Sequence, residues 1–411
     1  FLRNMTYHVV LTLLLWTRTL FASGLLPPEQ PVFQSSSRIS ATSTTSDAMA
    51  SLTKGFVENA IDDACHYIGE KVKTLRTNGG LTVRRIRDQD WHIGSEEMVG
   101  KDVDASDYLK SRTPWHFGIS VHNAHNNNII GRVTFYVAYS SWSGRIIYID
   151  RMDCKGLNDE TEELLLRILA DVALALDCVR LTWRHTTTPK WHSAGSNQPE
   201  MHGEVLTLSM DKDAMAKFVS DSPLKNVVPL EGGFSKDLVD TAFSTCLDKV
   251  NNIPDATFLL RLAQKQEDLE TIERLVQGLA DYVKEPDAVE MTAQDYLKDG
   301  FALDNPLWYC LLVDKVNEDG SRYTCGYAFV FVGYVLGEGR FIYLEDLYLE
   351  VDHRGDGGGK TTMKALAGLC QALQCSRLYW QALDWNTSGL SFYNKIGAKV
   401  HEGEKTSRYA G

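Results

Sequence analysis

The chain has 411 residues, 44% hydrophobic and 23% charged, the balance of a folded globular protein and a length for two or three domains. Its formal net charge of −12 argues against nucleic acid as a partner, since phosphate needs a basic surface, and it suits a cationic small molecule. The eight cysteines contain no C-x-x-C pair, so neither a disulfide framework nor a zinc site is expected, and no metal is called for.

The chain starts on Phe1, with Met5 close behind. Val9 to Trp16 is an apolar run followed by Arg18, too short to span a bilayer but long enough for a signal-peptide core. From Gln30 to Thr45 the chain is rich in Ser and Thr, and no acid occurs until Asp47, which is transit-peptide composition. Residues 1–54 therefore read as a targeting segment for a plastid reached through the secretory route. The alternatives are a disordered tail or a mispredicted start, on a cytoplasmic protein. No later segment is apolar enough for a stable membrane span.

After a predicted helix from Phe56 to Leu75 comes a diverged internal repeat. Leu81-Thr-Val-Arg-Arg-Ile matches Phe258-Leu-Leu-Arg-Leu-Ala, and Asp107-Tyr-Leu-Lys110 matches Asp295-Tyr-Leu-Lys298. The hairpin from Gly131 through Gly144 to Tyr148 matches the one from Gly326 through Gly339 to Tyr343. Cys178-Val-Arg180-Leu-Thr-Trp183 matches Cys375-Ser-Arg377-Leu-Tyr-Trp380. The four blocks keep their order, so chance is a poor explanation. In the second copy, Leu269 to Tyr282 and Lys360 to Leu373 have helical spacing. Trp308 to Asp314, Tyr327 to Val335, Phe341 to Val351 and Arg377 to Ala382 read as strands. The expected organisation is a first domain over 55–220, a linker over 221–255 with one helix from Ser235 to Val250, and a second domain over 256–411.

Arg354-Gly355-Asp356-Gly357-Gly358-Gly359-Lys360 lies between a strand and a helix. Such a turn aims backbone N–H groups and the positive end of a helix dipole at one point, which binds phosphate. Gly359-Lys360-Thr361 resembles the end of a nucleotide P-loop, but that motif needs four residues between its glycines, and Arg354 stands where the first glycine would be. An NTPase is therefore set aside, and the Arg-Gly-Asp tripeptide is read as coincidence.

Arg354-x-x-Gly357-x-Gly359 after an apolar strand resembles the acetyl-CoA motif of the GNAT superfamily of N-acetyltransferases. Tyr343-Leu-Glu345-Asp346, Cys375-Ser-Arg377, Asp384-Trp385-Asn386 and Phe392-Tyr393-x-x-x-Gly397-Ala398 resemble its spermidine/spermine and thialysine branch, over about 256–411. The resemblance implies an α/β fold with a mixed, mostly antiparallel sheet flanked by helices, and acetyl-CoA as co-substrate. It implies Glu345 as the base that deprotonates the amine and Tyr393, at the start of the last helix, as the acid that protonates the departing thiolate. The bland readings are a strand carboxylate paired with a cation and a packed aromatic. Leu347, Leu349, Arg354, Gly355, Asp356, Gly357, Gly358, Gly359, Lys360 and Asn386 would hold the cofactor, with an N–H near Leu347 as oxyanion donor. Asn386 could instead simply cap a helix. Asp281, Glu285, Asp287 and Asp346 would line a groove for a small-molecule amine, although acidic runs are usually solvated surface. The branch carries a Tyr-Ser-Thr-Trp-x-Gly-like turn on its substrate hairpin; this copy has Tyr334-Val-Leu-Gly-Glu338-Gly, while the first copy keeps Tyr139-Ser-Ser-Trp142-Ser-Gly, which puts simple polyamine specificity in doubt.

In the first copy the Gly-rich turn is replaced by Asp153-Cys-Lys-Gly-Leu-Asn-Asp159-Glu160-Thr-Glu162-Glu163, whose charge repels pyrophosphate. Asp150 stands in the place of Glu345. This half reads as an inactive relic that completes a groove as an internal pseudo-dimer; a homodimer is the other arrangement. The expected activity is acetyl transfer to a polyamine, diamine or lysine-like amine. The alternatives are a protein lysine or N-terminal acetyltransferase and a non-catalytic acetyl-CoA sensor.

Overall fold

The computed structural model describes residues 52–75, 81–87, 112–154, 159–185, 205–254, 256–402 and 405–410. Nearly all of the proposed targeting segment, and the Asp107–Lys110 block, lie outside them. Among the described residues no helix is long and apolar enough to cross a membrane.

The first half runs α1 (Lys54–Leu75), β1 (Leu81–Arg85), β2 (His116–Asn123), β3 (Ile129–Ser140), β4 (Gly144–Cys154), α2 (Asp159–Ala175) and β5 (Arg180–His185). Then follow β6 (Val205–Asp211), α3 (Lys212–Val219) and α4 (Lys236–Asn251). The second half runs β7 (Phe258–Leu262), α5 (Gln266–Val283), α6 (Ala293–Asp299), β8 (Tyr309–Val316), β9 (Arg322–Val335) and β10 (Gly339–Leu349). It continues with α7 (Gly358–Ala372), β11 (Arg377–Leu383), α8 (Thr387–Lys395), β12 (Lys399–Val400) and β13 (Lys405–Ala410).

The strands form two mixed sheets, in the orders β1-β2-β3-β4-β5-β13 and β12-β6-β11-β10-β9-β8-β7. Antiparallel neighbours run from β1 to β4 and from β7 to β10, and then one parallel pair joins β4 to β5 and β10 to β11. The repeat is thus two sheets of one topology, as the sequence blocks predict. Helix α2 buries Leu165, Ile168, Leu169 and Val172 on the first sheet, and α7 buries Met363, Leu366, Leu369 and Cys370 on the second. Between the sheets, Tyr136 and Tyr148 face Phe331, Phe341, Tyr343 and Tyr379 in one aromatic layer, so the halves pack against each other within one chain.

The last strand of each half is exchanged. Strand β6 hydrogen-bonds to β11 and β12 of the second sheet, pairing Asp211 with Arg377 through Val205 with Leu383. Strand β13 pairs with β5 of the first sheet, from Lys405 opposite His185 to Ala410 opposite Arg180. Residues 205–219, which sequence comparison assigns to the first copy, therefore sit in the second sheet and its helical layer.

The segment between the copies is also structural. Helix α4 is capped by Ser235, whose side chain accepts from the Leu238 N–H at 3.1 Å. It buries Val239, Ala242, Phe243, Cys246, Leu247 and Val250 in the second core. Buried side chains of this size each contribute about 1.5–3 kcal/mol, far more than a spacer would.

Candidate active site

Strand β10 positions the site. Its ladder with β9 skips one residue between Leu344 and Asp346, so Glu345 sits on a β-bulge. Its parallel pairing with β11 ends at Leu344 opposite Trp380. Beyond that point β11 pairs with β6 alone, and a wedge opens beside Leu347 and Leu349. The first half keeps the same construction: β4 skips Asp150 in its ladder with β3, and its pairing with β5 ends at Ile149.

Past the wedge, residues 350–357 lead into α7. Gly355 and Gly357 have φ of +90° and +98°, a left-handed conformation that L side chains avoid, and open space lies before both. Gly357 is the N-cap of α7, so the N–H groups of Gly358, Gly359 and Lys360 stand in a first turn that supplies them no intrahelical acceptor. The residues present thus fit a pyrophosphate. Arg354 is held beside the turn by its Nε, which donates to the Leu349 carbonyl at 2.7 Å. Its guanidinium lies 4.2 Å from the ring centre of Tyr282 and 5.4 Å from that of Tyr348. Asp356 pairs with Lys315 at 3.1 Å. In the first half β4 ends at Cys154 and α2 begins at Asp159, a shorter interval than that from Leu349 to Gly358.

Tyr393 lies near the C-terminal end of α8, not at the start of a helix as the sequence suggests, because the helix begins at Thr387. Asn386 caps that start, its Oδ1 accepting from the Gly389 N–H at 3.0 Å. Tyr393 is buried against Trp380, ring centres 5.1 Å apart. Burial, and after it the charge of Asp346, pushes the Tyr393 hydroxyl well above its ordinary pKa.

Asp346 accepts from Tyr327 Oη at 2.9 Å and from Ser141 Oγ of the first half. Burial, and then the neighbouring charge of Glu345, raises the Asp346 carboxyl to about 7. Ser141 belongs to the hairpin Tyr139-Ser-Ser-Trp142-Ser-Gly144, which reaches over from the first half. Tyr296 Oη donates to the Ser141 carbonyl at 2.6 Å, and the Glu290 N–H donates to the Trp142 carbonyl at 2.8 Å. Asp281, bonded by Gln277 at 3.1 Å, and Asp287 face solvent at and just beyond the end of α5, and Glu285 lies between them. The structure thus gathers Glu345, Asp346 and Tyr393 around the wedge. It places the other three acids on the surface beside Tyr282.

Ser141, Tyr327, Tyr296 and Tyr282 were not singled out from sequence as site residues. The only hint was the Tyr-Ser-Ser-Trp-Ser-Gly turn kept by the first copy.

Residues 273–398 match the family model of the acetyltransferase (GNAT) family. Bovine (Bos taurus) thialysine N-epsilon-acetyltransferase is 32% identical over 145 residues, covering 34% of this chain and 85% of that protein. Human (Homo sapiens) spermidine/spermine N(1)-acetyltransferase-like protein 1 is 35% identical over 133 residues, 32% of this chain, which spans 19% of that protein's length. A solved tandem GNAT protein from the clavulanic acid biosynthesis pathway aligns with 80% of this chain and 98% of its own, at 11% identity and a TM-score of 0.39.

Proposed function

The chain belongs to the GNAT acetyltransferase family, and on that premise we propose that its second half acetylates the primary amine of a polyamine, diamine or lysine-like small molecule. Acetyl-CoA supplies the activated acyl group when bound. The observation that carries the reading is the bulge that sets Glu345 and Asp346 at the opening of the β10–β11 wedge, beside the buried Tyr393.

A primary amine has a pKa of roughly 10 and must lose a proton before it can attack. Glu345 is the base that takes the proton, directly or through one water. Asp346 holds the cationic end of the amine and, being raised to about 7, shares the negative charge of the pair. Tyr393 protonates the departing thiolate; its raised pKa keeps the hydroxyl protonated at neutral pH, as an acid requires. The turn from Gly355 to Lys360 and Arg354 bind the pyrophosphate, and Leu347 and Leu349 line the arm. Asn386 spends its oxygen on the α8 cap, so its amide nitrogen is left to meet the arm. The Ser141–Trp142 turn closes the groove opposite Asp346 and favours a slender substrate.

The test is thiol release from acetyl-CoA with a panel of amines and peptides. Turnover of spermidine or thialysine is expected, with Tyr393→Phe lowering kcat by about 10²–10⁴-fold. Tight acetyl-CoA binding with no turnover of any amine or peptide would sink the reading and leave a sensor. Turnover of peptides alone would move the substrate to protein amines.

A further inference from the structure

The first half keeps the bulge and its acid but surrounds it with two arginines. On β4, Asp150 occupies the bulge as Glu345 does on β10. The next residue is Arg151 where the second half has Asp346, and the residue after Trp183 is Arg184 where Gln381 follows Trp380. The second half's hairpin turn reaches over this position, as the first half's reaches over Asp346. The Leu336 N–H points at Asp150 Oδ2 at 3.5 Å, a contact between the halves at the bulge residue itself, whereas Ser141 meets the residue after the bulge, Asp346.

Here the two halves enclose a cavity of about 350 Å³, lined by Asp150, Arg151, Arg184, Val335, Leu336 and Glu338. Asp150 is 5% exposed at its side chain. Among the described residues, its contacts to Thr134 at 3.1 Å, to His116 at 3.6 Å and to Leu336 use Oδ2, and Asp150 itself lines the cavity. The fully buried His116 ring has its pKa lowered, by burial above all. Arg184 is fixed toward the cavity by Tyr379, whose ring centre lies 4.4 Å from the guanidinium and whose hydroxyl it meets. Arg151 is 41% exposed and pairs at the rim with Asp153 through Nε at 2.8 Å. Glu338 pairs with Arg377.

The geometry points to a second ligand site in this cavity, for a small zwitterionic amino acid with its carboxylate on Arg151 and Arg184 and its ammonium on Asp150. A simple cation would meet two guanidinium groups, and a simple anion would meet a nearly buried carboxylate. The volume suits a single small molecule and not acetyl-CoA. Val335 and Leu336 give an aliphatic side chain an apolar wall. The inference extends beyond the transferase reading and does not depend on turnover.

Calorimetric titration of the full chain with L-leucine, in the absence of acetyl-CoA, tests it. One leucine per chain is expected, weakened about tenfold or more in Arg151→Glu and in Asp150→Asn. 4-Methylpentanoate, which lacks the ammonium, should bind about tenfold less tightly than leucine. Circular dichroism of both variants, matched to the parent, separates lost binding from lost fold. Absence of leucine binding at millimolar concentration overturns the proposal, as does binding that both variants retain. Equal affinity for 4-methylpentanoate overturns it in favour of a plain anion site. None of these results touches acetyl transfer, and a protein that fails to acetylate can still bind leucine.

Discussion

The ion pair between Arg145 and Asp299 ties the two halves together inside the protein. Arg145 begins β4 and Asp299 ends α6, and their side chains are 7% and 6% exposed. Arg145 Nε donates to Asp299 at 2.9 Å, and Nη1 donates to the Leu176 carbonyl at 3.0 Å. Burial raises the Asp299 pKa more than the attraction of Arg145 lowers it. The pair's own net contribution is therefore small, and the large cost falls on whichever charge is left alone. Asp299→Ala strands a buried guanidinium and should cost about 3–5 kcal/mol. Arg145→Met combined with Asp299→Leu should return to within about 1 kcal/mol of the parent, because neither charge remains. Urea unfolding followed by tryptophan fluorescence reads both values. A loss below about 1 kcal/mol in Asp299→Ala would refute the reasoning, since water would then be reaching Arg145 and the halves would not pack as described. The raised Asp299 pKa also has a sign. The folded state holds this proton more tightly than the unfolded one, so the term favours folding at low pH and fades as pH rises through the folded value.

Thiol release should fall on the acid side of about pH 7, because protonation of the Glu345–Asp346 pair removes the base. Tyr327, Tyr296 and Tyr393 surround that pair and stay protonated there, so Asp346→Asn should move the limb to lower pH; an unmoved limb would assign it elsewhere. Gly357→Val forces a β-branched side chain into φ +98° at the N-cap of α7 and should abolish acetyl-CoA binding by equilibrium dialysis, while far-UV circular dichroism stays unchanged. Gly333→Ala would put a Cβ 2.2 Å from the Phe341 ring in the aromatic layer and should lower stability by about 1–3 kcal/mol in the same urea assay.

Much of this was legible in the chain. The repeat blocks predicted two sheets of one topology, and Gly-rich spacing after an apolar strand located the turn into α7. Partner choice was not legible. The alternation of Val205 to Asp211 specifies a strand, but nothing local says whether it joins β5 or β11, since both edges offer the same backbone groups. The same limit hid Ser141 beside Asp346, a contact between side chains 205 positions apart. Helix α4 was visible as a helix but read as part of a linker, because periodicity shows a buried face and not what it packs against. Tyr393 was placed at the wrong end of its helix because the boundary depends on the Asn386 cap.

Strand β6 lies in the interior of the second sheet, between β11 and β12, although it precedes the whole of the second half in the chain. A deletion through residue 211 would leave β11 with an open edge and leave the side chains that pack on Leu208 and Met210 without that part of their sheet, so the catalytic domain cannot be cut out of this chain at the boundary its repeat suggests.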